Sequence, residues 1–176
     1  MFSKKSIVLL ILVFALWNCE RDDICAESTP TTPRLIIEFN DINNLENSKA
    51  VRQLTVIGID ENGNDINTLI SRTNTNEVSL PLRIIAEGVT NTSRYKFIRD
   101  ADFDTDDNPE TASNTDIITI TYLPEFVFVS RACGFKSIFN SIGINSENDD
   151  SIWILAEQLN TDNVENENNA HITLFH

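Results

Sequence analysis

Four aspartates at alternate positions form the strongest candidate for a metal site. They are Asp100, Asp102, Asp104 and Asp106. Carboxylate oxygens are the ligands that Ca²⁺ takes in proteins, so a loop carrying these side chains could bind Ca²⁺ weakly. An EF-hand loop beginning at Asp100 would need glycine and glutamate where the chain has Thr105 and Thr111. We therefore favour a solvated acidic loop without a cofactor, and keep Ca²⁺ as the alternative.

The two histidines, His171 and His176, do not have the arrangement of a hydrolase site. They are five residues apart, so on one strand they would lie on opposite faces. The G-x-S-x-G motif that positions many catalytic serines is missing from the sequence. We predict that His171 is a surface or edge residue, that there are no catalytic residues, and that the protein is non-enzymatic. A carboxylate pair acting on an envelope polymer is the remaining enzymatic alternative.

Three cysteines are present, at positions 19, 25 and 133. If Cys19 carries a lipid, Cys25 and Cys133 are an even pair, for which a disulfide is the default in an oxidising compartment. The bridge would close a loop of roughly a hundred residues and stabilise the fold by about 4 to 5 kcal/mol. A free thiol at Cys133 is one alternative. A metal site is another, but the cysteines and histidines lack the spacing of zinc ligands.

The N-terminus is typical of an exported lipoprotein. Lys4 and Lys5 precede an uncharged apolar run, residues 7–17, which is too short to span a bilayer. The following residues, LWNC, resemble a bacterial lipobox, in which Cys19 would be acylated and become the mature N-terminus. We predict a signal peptide over 1–18, a lipidated N-terminus and tether over 19–33, and one domain over 34–176. An uncleaved N-terminal anchor is the alternative.

Charge and short motifs bear on location. The formal net charge of −14 argues against nucleic acid as a partner, because phosphates need a basic surface. Residues 20–23 are similar to the acidic tracts that follow the lipidated cysteine of surface-exposed Bacteroidota lipoproteins. We therefore expect an outer-membrane location, with surface exposure favoured over the periplasmic side. Ser151, in the sequence DSI, resembles a short O-glycosylation motif of Bacteroidota envelopes.

Alternating apolar residues predict an all-β domain that positions these groups. About eight strands are expected, over 35–39, 51–59, 77–82, 94–99, 117–122, 126–129, 151–155 and 171–175. Leu123-Pro124 would turn the sixth strand back from the fifth, residues 134–143 would be irregular or a short strand, and 40–50, 100–115 and 143–150 would be loops. Such a chain fits an antiparallel β-sandwich, Ig-like or related, with a closed barrel-like sheet as the alternative. Trp153 is expected in the core, and would be a candidate sugar platform only if exposed.

Four segments of the chain also resemble a known family. They are CERDDIC, TPTTPRLIIEF, VSRACGFKSIF and NVENENNAHITLFH. Together they look like a family of Bacteroidota lipoproteins of unknown function, and the resemblance implies a lipid anchor, the cysteine pair and a β fold. It supplies no activity. We expect a lipid-anchored accessory or interaction module of an envelope assembly, with the membrane as a partner through its lipid and an envelope protein as a second partner. A glycan- or Ca²⁺-binding surface module is the alternative.

Overall fold

The computed structural model describes residues 24–29, 31–102, 112–147 and 151–176. The chain divides into two units. We call the described residues 24–29 and Phe128–Phe135 the small unit, and those within Pro30–Val127 and Lys136–His176 the main unit. In these parts of the chain, no helix is long and apolar enough to cross a membrane.

Eleven strands run through the described residues. They are β1 (Leu35–Asp41), β2 (Asn44–Ser48), β3 (Val51–Ile59), β4 (Asp65–Thr75), β5 (Glu77–Leu80), β6 (Asn91–Arg99), β7 (Asn114–Ser130), β8 (Gly134–Glu147), β9 (Ala156–Leu159), β10 (Asn163–Val164) and β11 (Ile172–Phe175). One sheet has the order β2-β1-β11-β9, with β5 also paired to β1, and the other has the order β10-β8-β7-β6-β3-β4. The fold is therefore the predicted all-β sandwich.

Among the described strand pairs whose register is known, one is parallel and the others are antiparallel. β1 and β11 are parallel, with Ile37 opposite Ile172 and Phe39 opposite Leu174. On its other edge, β1 pairs antiparallel with β5 and then with β2. The first strand of the domain is thus held between the eleventh strand and two strands that are close to it in sequence.

The core lies between the two sheets and follows the alternation of the strands. Val78 and Leu80 on β5, and Tyr95 and Phe97 on β6, are buried as their spacing predicts. The largest buried side chain is that of Trp153, which is 2 % exposed. Its expected place in the core is confirmed, and a sugar platform at this residue is excluded because the ring is inaccessible.

The predicted hairpin at Leu123-Pro124 is wrong, because β7 runs through both residues as one strand. Pro124 is tolerated there since the pairing of β6 with β7 ends at Asn91 opposite Tyr122. Beyond that point, a residue without an N–H breaks no bond to β6. Pro124 therefore lies just beyond the point at which β7 loses its neighbour β6.

Other boundaries differ from the predictions as well. The expected loop 40–50 contains β2, and β4 was not predicted, because both strands are mostly exposed and polar. Residues 134–143 are part of the long strand β8, which also extends into the expected loop 143–150. Residues 152–155 are not a strand, and β9 begins directly after them. Of the expected loop 100–115, residues 103–111 lie outside the described residues.

Candidate functional site

The predicted cysteine pair is at bonding distance. The sulfur atoms of Cys25 and Cys133 are 2.07 Å apart and their Cα atoms 4.9 Å apart, across a sequence separation of 108. Cys133 lies in the turn between β7 and β8, where its N–H donates to the Ser130 hydroxyl oxygen at 3.0 Å. The disulfide thus joins the two segments of the small unit. Cys19 and the signal segment 1–18 lie outside the described residues, so lipidation stays a prediction.

Two of the four candidate calcium ligands are described, and both face arginine. The Asp100 carboxylate pairs with the Arg52 guanidinium, and its other oxygen is 3.8 Å from Nε of Arg99. Asp102 is 3.6 Å from a second nitrogen of Arg52. Within the described ranges, no group of three or more His, Cys, Asp or Glu side chains is arranged to hold a metal. Asp104 and Asp106 lie outside those ranges.

The prediction that His171 is a surface or edge residue is wrong. The residue is 4 % exposed, and its Nδ1 atom accepts a hydrogen bond from the Ile36 N–H at 2.9 Å. Its Nε2 atom is 2.9 Å from the Asn166 carbonyl oxygen, which fixes the neutral tautomer with the proton on Nε2. Burial lowers the pKa of His171. Both nitrogens bind backbone, so this imidazole is a structural link rather than a general base.

Ser151, the candidate glycosylation residue, lies on the surface. It is exposed, and the Asn114 side-chain amide is 3.1 Å from its hydroxyl oxygen and 2.5 Å from its carbonyl oxygen. Asp150, which completes the motif, lies outside the described residues. Glycosylation of Ser151 therefore stays a prediction.

A site that the sequence did not predict is the connection between β5 and β6, residues 81–90, which we call the 81–90 loop. Three of its apolar side chains face solvent. Their exposed fractions are 40 % for Ile84, 59 % for Ile85 and 52 % for Val89. The loop also bonds to the part of β7 that carries Phe126, which is itself 44 % exposed. We call these four side chains the apolar ridge.

Asn91 holds this loop in one conformation. The side chain is 1 % exposed and makes four hydrogen bonds to the loop backbone. Its carbonyl oxygen accepts from the N–H groups of Ile85 and Ala86, and its amide donates to the carbonyls of Ala86 and Val89, both at 2.8 Å. In a loop, backbone N–H and C=O groups do not have the partners that a neighbouring strand provides. Here the asparagine amide supplies those hydrogen bonds instead. The ridge is consequently presented by a fixed backbone.

Two further inward-facing residues of β6 bind the start of the same loop. The Ser93 hydroxyl oxygen accepts from the Arg83 N–H at 3.0 Å, and the Tyr95 hydroxyl donates to the Pro81 carbonyl. The Tyr122 hydroxyl donates to the Arg83 carbonyl at 2.5 Å. Burial raises the pKa of both tyrosines, so their hydroxyls stay protonated as donors. Polar residues at alternate core-facing positions of a strand were the signal in the sequence that could have revealed this support.

The far side of the loop is tied to β7. The Glu87 carboxylate accepts a hydrogen bond from the Phe126 N–H at 2.8 Å, and the Gly88 N–H donates to the Pro124 carbonyl at 3.0 Å. Gly88 has a φ of +68°, a backbone conformation that favours glycine. These bonds use the length of β7 that has no β6 partner.

An open cleft of about 380 Å³ lies beside the 81–90 loop in the main unit. Apolar side chains from β3, β4 and the loop form most of its lining, among them Ile59, Leu69 and Leu82. Gly58 is opposite Tyr95 on β6 and Asn67 on β4, so this row of the sheet has a gap where a side chain would stand. A Cβ at Gly58 would be 2.9 Å from the Asn67 side-chain oxygen, which shows how closely the amide covers the glycine.

Charged groups surround this cleft. Arg94 donates to the carbonyl oxygens of Asp60 and Glu61, both at 3.2 Å, and pairs with the Glu147 carboxylate. Arg83 contributes a second guanidinium on an exposed side chain. Beside the acidic side chains of Asp60 and Glu61, the exposed Arg83 side chain is the group that could bind the anionic end of an apolar ligand.

The small unit carries exposed aromatic residues of its own. The rings of Phe128 and Phe135 pack edge to face with centroids 5.4 Å apart, yet their exposed fractions are 58 % and 68 %. Ile24, next to the disulfide cysteine Cys25, is 84 % exposed. Three large apolar side chains are thus exposed on a unit braced by the disulfide.

A comparison with known families gives one match. The profile of DUF6452, a family of unknown function, matches residues 53–176. Neither the curated proteins nor the solved structures include a match to the chain. The chain belongs to DUF6452, and the match covers β4 to β11 and most of β3.

Proposed function

We propose that this DUF6452 protein is a lipid-anchored, non-enzymatic module of an envelope assembly, which binds a protein partner through the apolar ridge. The observation that carries the proposal is the exposure of Ile84, Ile85 and Val89 on a loop whose backbone is held by Asn91. A lipobox-like Cys19 and the preceding signal segment support the anchor and an outer-membrane location, with surface display favoured.

Rigidity is what distinguishes the ridge from a mobile loop tip. Binding a flexible loop costs free energy for each side chain and backbone segment that becomes ordered. Here the 81–90 loop is already bonded at its start, middle and end to β6 and β7. The fully buried centre of a protein–protein contact is more apolar than the rest of the surface and is enriched in aromatic side chains such as phenylalanine.

The charge of the chain indicates the chemistry of the partner. With a formal net charge of −14, the protein repels acidic surfaces and attracts basic ones. Glu87 lies within the loop itself, between the ridge residues Ile85 and Val89. The expected partner is a protein with an apolar groove bordered by lysine or arginine.

A site-specific photo-cross-linker tests this surface in intact cells. With the cross-linking residue in place of Ile85, we expect one partner to be captured in stoichiometric amounts. The matched control carries it in place of Leu45, which is 56 % exposed on β2, and should not capture that partner. Replacing Val89 with Asp in the Ile85 cross-linking variant should abolish capture. Equal capture from both positions, or capture that survives the aspartate, contradicts the proposal.

The lipid anchor is tested separately by labelling. Cells supplied with a labelled fatty acid should incorporate it into the wild-type protein and not into Cys19→Ala. Incorporation that persists in Cys19→Ala would show that the lipobox interpretation is wrong. The matched control is Cys25→Ala, which removes a cysteine that is bonded to Cys133 and should keep the label.

The cleft favours a second candidate function, that of a binding module for a small apolar anion. Its volume of about 380 Å³ lies in the range of small-molecule sites, and apolar side chains of β3, β4 and the 81–90 loop line it. Anilinonaphthalene sulfonate, an apolar probe with one negative charge, should bind and fluoresce. Ile66→Glu, which adds a carboxylate to the lining of the cleft, should remove this signal, whereas Ile85→Glu, on the ridge, should not. The opposite pattern would assign the probe to the ridge.

A further inference from the structure

The small unit exposes apolar side chains close to the proposed anchor point. Cys25 is six residues after Cys19, so a fully extended chain separates their Cα atoms by at most about 21 Å. The disulfide places the Cα atom of Cys133 4.9 Å from that of Cys25. Phe135 is two residues further along the chain. A lipid on Cys19 thus keeps Cys25 within about 21 Å of the acylated residue, whatever conformation the tether adopts.

The character of the side chains matches a bilayer surface. Ile24, Phe128 and Phe135 are each more than half exposed, and the two rings pack edge to face. Aromatic and aliphatic side chains gain free energy on entering the interfacial region of a bilayer. Residues 20–23 carry three acidic side chains and one basic one, so anionic lipids would be repelled.

We propose that Ile24, Phe128 and Phe135 rest against the zwitterionic bilayer surface to which Cys19 is anchored, and this rests on the proposed lipid anchor. The disulfide then has a positional role. It fixes the segment 24–29 to the turn between β7 and β8, so that the tether presents these three side chains to the membrane. Apolar side chains at the base of a lipid anchor add buried apolar area and so strengthen attachment.

The test uses the natively processed protein in vesicles of phosphatidylcholine brominated on its acyl chains, which quench tryptophan on contact. Phe135→Trp is the reporter. The background from Trp153 is constant, because that ring is 2 % exposed in the core of the main unit. We expect the emission of the introduced tryptophan to shift to shorter wavelength and to lose most of its intensity. Leu45→Trp, at an exposed position of β2 in the main unit, is the matched control and should keep its emission.

The outcomes separate this inference from the anchor itself. The intact mass of the same sample shows whether Cys19 is acylated. An acylated protein whose Phe135→Trp emission is unquenched, or quenched no more than that of Leu45→Trp, overturns the bilayer contact and leaves the anchor standing. An unacylated mass overturns both. If Phe135→Trp fails to fold, Phe128→Trp is the second reporter with the same expectation.

Discussion

Asp116 on β7 fixes the backbone of Trp153. Its Oδ2 atom accepts a hydrogen bond from the Trp153 N–H at 3.0 Å and another from the Ile154 N–H at 2.8 Å. The carboxyl is 3 % exposed, and the indole N–H donates to the Phe97 carbonyl at 3.2 Å. An irregular segment therefore places the largest side chain of the core, because a buried carboxylate supplies the bonds that a strand would have made.

Asp116→Ala should lower the free energy of unfolding by about 3 kcal/mol, because two buried N–H groups lose their acceptor. Urea denaturation followed by near-ultraviolet circular dichroism of Trp153 measures the loss. Asp65→Ala is the control. It removes an exposed ion pair with Lys96 and should cost about 0.5 kcal/mol. Equal losses in the two variants would mean that Asp116 does not hold the tryptophan.

Asn91→Ala should release the 81–90 loop. Four hydrogen bonds to the loop backbone are lost, and we expect a decrease in stability of about 2 kcal/mol. Amide hydrogen exchange of Ile85 and Ala86 should accelerate more than that of the strand residues, because these N–H groups lose their acceptor. Asn67→Ala, at an exposed position of β4, should leave that exchange unchanged. Protection of both amides in Asn91→Ala would contradict the fixed-loop interpretation.

Removing the disulfide should destabilise the protein strongly. Replacing Cys25 and Cys133 with serine frees a loop with a sequence separation of 108, which corresponds to about 4 to 5 kcal/mol in the chain-entropy description. Equilibrium urea unfolding measures this loss. Reduction of the wild type should reproduce it without any substitution. A double variant as stable as the oxidised wild type would show that the bridge does not contribute.

Acidification should destabilise the fold through His171. Its pKa in the folded state is below the ordinary value because of burial, so the unfolded chain takes up the proton more readily. The contribution is complete above the ordinary pKa of about 6.5 and is lost as the pH falls below it. Protonation at Nδ1 also removes the acceptor for the Ile36 N–H.

Melting temperatures at pH values from about 7.5 to 5.5 measure this effect. His171→Asn keeps an acceptor at that place but does not titrate, so its melting temperature should fall less steeply with pH. His176, whose pKa burial also lowers, stays in both proteins and contributes equally. Parallel slopes in the two proteins would show that His171 does not control the pH dependence.

Alternation of apolar residues made part of the fold predictable. The bounds of β3 agree with the prediction, because one face of Val51–Ile59 is buried and its side chains alternate. Strand β4 was not predicted, because it lies at the edge of its sheet and its side chains are mostly exposed. Its sequence therefore does not have the apolar face by which strands were recognised. Pro124 was wrongly predicted to lie in a turn, since the sequence does not show that the pairing of β6 with β7 stops at Tyr122.

Some of the candidate sites could likewise be predicted from the sequence, and others could not. The Cys25–Cys133 pair followed from the cysteine count once Cys19 had been assigned to the lipid. The apolar ridge could not be predicted, because its exposure depends on where β6 and β7 place the 81–90 loop. His171 was misjudged since its two partners, Ile36 and Asn166, lie far along the chain or in a loop of irregular backbone. Long-range partners of polar side chains leave no local pattern in a sequence.

The parallel pairing of β1 with β11 sets the moment at which the domain can fold. Of the described strands, β1 is synthesised first, and its edge toward β11 stays without that partner until the other ten have been made. The unfinished chain thus presents Ile37 and Phe39 on an open strand edge, which is a template for aggregation. We therefore expect the sheet that contains β1 to form only after β11 has been released.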